Sequence, residues 1–310
     1  MSSRVIHTAQ ALVDEVAEVP ALPRRGGNAM ARSYRRYAGG AVNILLAAAR
    51  QGAEAVHAGA HGEGPNGDLI RSTLAAEGVS CSAPMITGVD TGICFVMVEP
   101  SAERTFVTTQ GAERRITPAS LATSAPVAGD LVCVSGYSLL EPTCDPLLAW
   151  LEALPREVTL VLDPGAAFAD LEEGVRARAL ALTDVWTSNA EEGEALTGLA
   201  DIASCAAQVG PLLRGGESVA IVRDGAAGCV VAVDGQVHEV PGYPQKPVDT
   251  NGAGDAHTGV LVAQRALGTD WVEAARRANA AGAIKVTRSG PATAPTAPEI
   301  GAFLAAHPQV

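Results

Sequence analysis

Residues 249 to 260 read Asp249-Thr250-Asn251-Gly252-Ala253-Gly254-Asp255-Ala256-His257-Thr258-Gly259-Val260 and run directly into the apolar stretch LVAQRAL at 261–267. Small residues thus open a helix. A turn of this kind leaves several backbone N–H groups unpaired and pointing one way, and glycine lets an oxyanion approach the main chain closely, so phosphate recognition is the natural consequence. An acidic residue at the same helix start would repel a phosphate, which makes sense if the carboxylate serves chemistry. Beside a polarised γ-phosphate, Asp255 could accept the proton of an attacking hydroxyl, while the N–H groups of Ala253, Gly254 and Asp255 stabilise the transferring charge. Aspartate is equally a favoured helix cap, and spacing alone leaves both readings open.

Working outward, short β-branched runs alternate with Ala- and Leu-rich runs from about residue 40 onward, the pattern of a parallel sheet covered by helices on both faces. Helices are expected at 41–51 and 69–79. Strands are expected at 54–60, 131–136 and 158–163, and the rhythm continues through DVWTSN, SVAIVRD and GCVVAV. Two stretches break it. Residues 13–38 carry Pro20, Pro23, Gly26 and Gly27, and residues 91–109 look like two strands around a turn with Pro100. Together they predict a small β lid inserted into a single α/β domain spanning 1–310.

The chain has 310 residues, 47% of them hydrophobic, enough for a sizeable core; aromatics are only 4%, so that core is expected to use small aliphatic side chains in closely approaching elements. A formal charge of −12 argues against a broad nucleic-acid surface but not against one nucleotide held by backbone N–H groups. Cys81, Cys94, Cys133, Cys144, Cys205 and Cys229 show no C-x-x-C pair and read as buried thiols. No signal-peptide core stands at the start, and no window reaches the roughly 18 apolar residues of a membrane span, so a cytoplasmic protein is expected. A dinucleotide fold would need Gly-x-Gly-x-x-Gly after its first strand and a P-loop kinase Gly-x-x-x-x-Gly-Lys-Ser/Thr; neither string is found there.

The string Asp-Thr-x-Gly-Ala-Gly-Asp at 249–255 resembles the C-terminal signature of the ribokinase-like (PfkB) carbohydrate kinases, without a mismatch. Other landmarks follow in that family's order. Gly39, Gly40 and Asn43 resemble its N-terminal signature, where a glycine pair opens a helix and an Asn faces the phosphoryl acceptor. Asp14 matches the acidic residue that binds substrate hydroxyls. The turn GEGPNG at 62–67 resembles Gly-Asp-Asp-x-x-Gly, with Glu63 and Gly64 in place of the acidic pair. Asn189 and Glu192 reproduce the Asn-x-x-Glu motif associated with Mg²⁺ and phosphate, although an Asn with Glu three residues on is also a helix-capping arrangement. Arg223, Gly225 and Gly228 fall at the nucleotide-side strand and turn. Asn279 lies on the helix that borders adenine, or is a surface Asn. His257 stands where the family has Phe and either contacts substrate or is a satisfied core histidine; with SGYSL at 135–139 and RSGPATAP at 288–295 it resembles a bacterial sugar-kinase branch of undefined substrate.

The resemblance implies a three-layer α/β/α fold, ATP as donor, and a sugar or sugar-like acceptor held by Asp14, Gly39, Gly40 and Asn43. It implies nucleotide contacts at Asn189, Arg223, Gly225, Gly228, Thr250, Gly252, Gly254 and Asn279. Mg²⁺ would be held through water by Glu192, and a monovalent cation such as K⁺ by the Asp249 carboxylate with carbonyls of residue 251 and of 286–290. A homodimer through the lid is implied as well. A nucleoside kinase of the same fold and a catalytically silent ligand-binding regulator remain the alternatives; a regulator would be expected to lose Asp255 or the 252–254 turn, and this chain keeps both.

Overall fold

The computed structural model describes residues 3–101, 103–215 and 218–308. In chain order the strands are β1 (Val5–His7), β2 (Ala11–Glu18), β3 (Ser33–Gly40), β4 (Ala55–His57), β5 (Ser80–Cys81), β6 (Ile93–Val98), β7 (Arg104–Thr108), β8 (Leu131–Ser135), β9 (Thr159–Asp163), β10 (Val185–Asn189), β11 (Val219–Arg223), β12 (Gly228–Val233) and β13 (Gln236–Pro241). The helices are α1 (Ala41–Ala49), α2 (Pro65–Ala76), α3 (Pro118–Ala122), α4 (Cys144–Glu152), α5 (Glu173–Leu182), α6 (Ala190–Thr197), α7 (Ile202–Val209), α8 (Ala253–Ala266), α9 (Trp271–Val286) and α10 (Ala297–Ala306).

Nine strands form the main sheet in the order β13-β12-β11-β10-β9-β8-β1-β4-β5, parallel from β11 to β5 and antiparallel at the β11–β12 and β12–β13 pairs. Both faces are buried, as the continuous apolar runs require. Along β8, Val132 and Val134 join one core cluster with Leu147 and Leu148 of α4, while Leu131 and Cys133 join the opposite cluster with Val260 and Leu261 of α8. Alternation at period 2 thus serves two helical layers from one strand. The expected small-residue packing is present: Ala274, Ala275, Ala278 and Ala281 of α9 are fully buried beneath α8. No helix among the described residues is long and apolar enough to cross a membrane.

The second sheet has the order β3-β2-β6-β7 and is built from the two stretches that break the α/β rhythm. Its strands reach slightly beyond the expected bounds, since β2 begins at Ala11 and β3 continues to Gly40, where it passes directly into α1. Helix α2 starts at Pro65, earlier than expected, because the Asp90 carboxylate accepts from the N–H groups of Asn66 (3.0 Å) and Gly67 (2.9 Å) in the first turn. All six cysteines are free thiols, and all but Cys81 are buried.

Candidate active site

The helix-opening turn at 249–255 is shaped by one glycine. Gly252 caps α8 at φ 77°, and a Cβ there would lie 2.4 Å from the carbonyl oxygen of Pro291, so any side chain would be strained and crowded. Asp255 is the third residue of α8 and the cap position belongs to Gly252, so the cap reading of Asp255 does not hold. Ala253 donates its N–H to the Thr250 carbonyl oxygen at 3.2 Å, closing the turn. Of the three donors expected to face phosphate, that one is engaged. Gly254 and Asp255 remain in the first turn, where an α-helix has no internal acceptor for its N–H groups.

Asp255 meets α1 across the cleft. Asn43 Nδ2 donates to Asp255 Oδ2 at 2.8 Å, while the buried Asn43 Oδ1 has no hydrogen-bond partner among the described residues. Burial pushes the Asp255 carboxyl up to about 6; the Asn43 hydrogen bond opposes this, the Asp163 charge adds to it, and Arg223 and Lys285 pull it back. Asp14, from β2, is pushed up to about 7 by burial and then by the charge of Asp255. The Gly39–Gly40 pair makes this geometry possible. A Cβ at Gly39 would fall 2.2 Å from Asp14 Oδ2, and Gly40 turns the chain from β3 into α1 at φ 62°, against the Gln10 carbonyl oxygen.

The opposite wall is formed by the carboxyl ends of parallel strands, where α/β sheets place their ligands. Asn189 and Glu192 form the capping box of α6: Asn189 Oδ1 accepts from the Glu192 N–H (2.7 Å), and Glu192 Oε2 accepts from the Asn189 N–H (2.9 Å). The Glu192 carboxyl is raised by burial and then by the nearby charge of Asp163, which ends β9. Arg223 is committed to the protein. It donates to the carbonyl oxygens of Ser188 (3.1 Å) and Gly254 (3.2 Å) and to Thr258 Oγ1 (2.9 Å), and it stands 3.7 Å from Asp163 and 4.0 Å from Glu192. Gly225 and Gly228 flank the β11–β12 turn and, with Thr250, line the same cleft.

Asn279 is buried, not a surface residue. Its Nδ2 donates to the Val240 (2.9 Å) and Pro241 (3.2 Å) carbonyl oxygens, and its Oδ1 lies 3.1 Å from His257 Nε2. His257 is correspondingly a buried histidine whose Nε2 is partnered by Asn279 while its Nδ1 has no partner among the described residues, and its proton affinity is pushed down to about 3 by burial and then by Arg223. Both residues border the cleft, which has a volume of about 1000 Å³ and runs from Asp14 and Gly40 at one end to Asn279 and Gly282 at the other.

Two of the groups expected to hold a monovalent cation, the Asp249 carboxylate and the Val286 carbonyl, already accept hydrogen bonds from the protein. Asp249 Oδ1 accepts from the Asn251 N–H (2.9 Å) and from Arg104 Nη2 of the lid (3.0 Å), and Oδ2 accepts from the Gly290 N–H (2.9 Å). The Val286 carbonyl oxygen accepts from the N–H groups of Val248 (2.7 Å) and Asp249 (3.1 Å). Asp163, Arg104 and Lys285 were not singled out in the sequence, although Asp163 carried a signal as the acidic end of a predicted strand.

A three-layer α/β sandwich with a strand lid and a half-buried carboxylate at a glycine-capped helix start is the setting of a small-molecule phosphotransferase. The model of the pfkB family of carbohydrate kinases matches residues 6–298, and the chain belongs to that family. It is 32% identical to the uncharacterized sugar kinase YegV of Escherichia coli, over 97% of this chain and 92% of that protein, and 28% identical to the ribokinase of Haemophilus influenzae, over 94% and 95%. Among solved structures it resembles the Arabidopsis thaliana ribokinase complexed with ribose and ATP, with a TM-score of 0.81 and 22% identity over 98% of this chain and 99% of the other.

Proposed function

We propose that this kinase moves the γ-phosphoryl group of ATP to a hydroxyl of a sugar or sugar-like acceptor, with Asp255 as general base. The observation that carries the reading is the placement of Asp255. It sits in the first turn of α8, is bonded to Asn43, and has a proton affinity raised towards neutrality, where a base works best. Asp14 accepts hydrogen bonds from acceptor hydroxyls, and the unpaired Asn43 Oδ1 takes another. The N–H groups of Gly254 and Asp255 face the transferring charge. The nucleotide lies over Gly225 and Gly228 towards Gly282, and Arg223 and Asn279 shape its walls from behind.

Mg²⁺ supplies charge neutralisation on the β- and γ-phosphates when bound. Glu192, acting through water, and Asp163 fit that task, since the two carboxylates raise the local demand for positive charge and Arg223 meets only part of it. Glu192→Gln keeps an acceptor for the α6 capping box, so the fold should hold. The expected result is a several-fold higher Mg²⁺ requirement, read by titrating free Mg²⁺ against rate. An unchanged titration curve would remove Glu192 from the metal site.

A screen of pentoses, hexoses, sugar acids and nucleosides, read as acceptor-dependent ADP release, tests the function itself. One acceptor class should stand out. ATP binding without transfer to any acceptor class would favour the silent regulator instead. The lid leaves the cross-strand pair Phe95 and Val107 exposed on one face, an apolar area suited to pairing two lids. We expect a dimer in sedimentation at micromolar concentration, and a monomer there would reject this pairing.

A further inference from the structure

Lys285 lies in the last turn of α9 with no exposed surface, and its Nζ donates to the main-chain oxygen of Asp249 at 2.7 Å. That oxygen belongs to the irregular segment between β13 and α8 that leads into the 252–255 turn. Of the chain's 22 Lys and Arg residues, lysine stands only at Lys246 and Lys285, so the compact ammonium is used here in a chain that otherwise uses arginine. The choice has a physical reason. A single carbonyl oxygen in a buried place suits a small spherical charge, whereas a planar guanidinium needs forked acceptors. Burial lowers its proton affinity, with Arg104 adding to that, and the charges of Asp249 and Asp255 oppose the shift through space.

We propose that Lys285 is the resident counterpart of a bound monovalent cation: its ammonium group holds the 249–252 turn in shape and supplies a fixed positive charge beneath the phosphate site. The surrounding bonds agree with this. The Asp249 carboxylate already accepts from two N–H groups and Arg104, and the Val286 carbonyl from two further N–H groups, so two of the groups that would cage a free ion are committed. A tethered cation also loses less freedom on ordering than a captured one and stays whatever the ionic composition. The inference rests on reading the 252–255 turn as the phosphate site.

The test uses ADP with Mg²⁺ as the probe, so that it does not depend on knowing the acceptor. With wild type in KCl or in tetramethylammonium chloride at equal ionic strength, ADP affinity and thermal midpoint should agree within about twofold and about 1 °C respectively, the scale of small electrostatic differences. Lys285→Met, which fills the same space without charge, should weaken ADP binding roughly tenfold, the order expected for one lost charge-assisted contact. Lys285→Ala should regain affinity when K⁺, NH₄⁺ or a short alkylammonium is added. A saturable gain of ADP affinity or thermal midpoint by wild type in K⁺ overturns the proposal, and this arm stands even if both variants fail to fold. Folded variants with wild-type affinity and no cation response overturn it too. If no form of the protein binds ADP, the phosphate-site reading has failed rather than the role of Lys285.

Discussion

Asp255→Asn should lower kcat by about 10² to 10⁴, the usual consequence of losing a general base, while ATP affinity is kept or improved. The substitution removes a negative charge beside the phosphates, leaves every backbone N–H of the turn in place and preserves an acceptor for Asn43 Nδ2. Rate and stability should also respond to pH in opposite senses. The base must be ionised, so kcat/KM of wild type should rise with pH through about 6 to 7, where Asp255 and Asp14 titrate as a neighbouring pair. For stability, a carboxyl raised from 3.8 to about 6 contributes fully below the unfolded value and loses its contribution as pH climbs through the folded one. Asparagine never ionises. The thermal midpoint of Asp255→Asn should therefore exceed that of wild type at pH 8, with the gap closing towards pH 4. A variant with near-normal kcat would remove the mechanism, and one less stable at pH 8 would remove the electrostatic account.

Most of this arrangement was legible along the chain where it is made by contiguous residues. The 249–255 turn, the Gly39–Gly40 pair and the capping box at 189–192 each occupy a few consecutive positions, so their geometry follows from local backbone preference. The lid was legible too, because its prolines and its hairpin break the helical period. What was hidden arrives from afar. Lys285 comes from the far end of α9, Arg104 from a lid strand 145 residues before its partner, and Asp163 from the end of a strand across the sheet. No periodicity announces such convergence, since a buried lysine on an Ala-rich helix has the same local signature as an exposed one. The contact between His257 and Asn279 was hidden for a related reason: their mutual hydrogen bond spans 22 residues, and only the packing of α8 on α9 brings them together.

The acceptor side offers a second large effect, from the smallest possible change. Gly39→Ala adds one methyl group, and Gly39 does not occupy the left-handed region, so the backbone itself tolerates alanine. Space is what fails. The added carbon would lie 2.2 Å from Asp14 Oδ2 and 2.7 Å from its Cγ, well inside contact distance, so the carboxylate must swing out of the cleft. If Asp14 accepts two hydroxyls of the acceptor, losing both charge-assisted hydrogen bonds costs about 3 kcal/mol, roughly a hundredfold in acceptor KM. ATP affinity should be unchanged, because the added methyl group touches Asp14 and not the backbone N–H groups of the 252–255 turn. A mere disturbance of the lid would look similar in this one variant, and the double mutant separates the two. With Asp14→Ala in place there is no carboxylate to displace, so adding Gly39→Ala should cost almost nothing further. Additive losses across the cycle, or an unchanged acceptor KM in Gly39→Ala, would show that the glycine does not serve the Asp14 carboxylate.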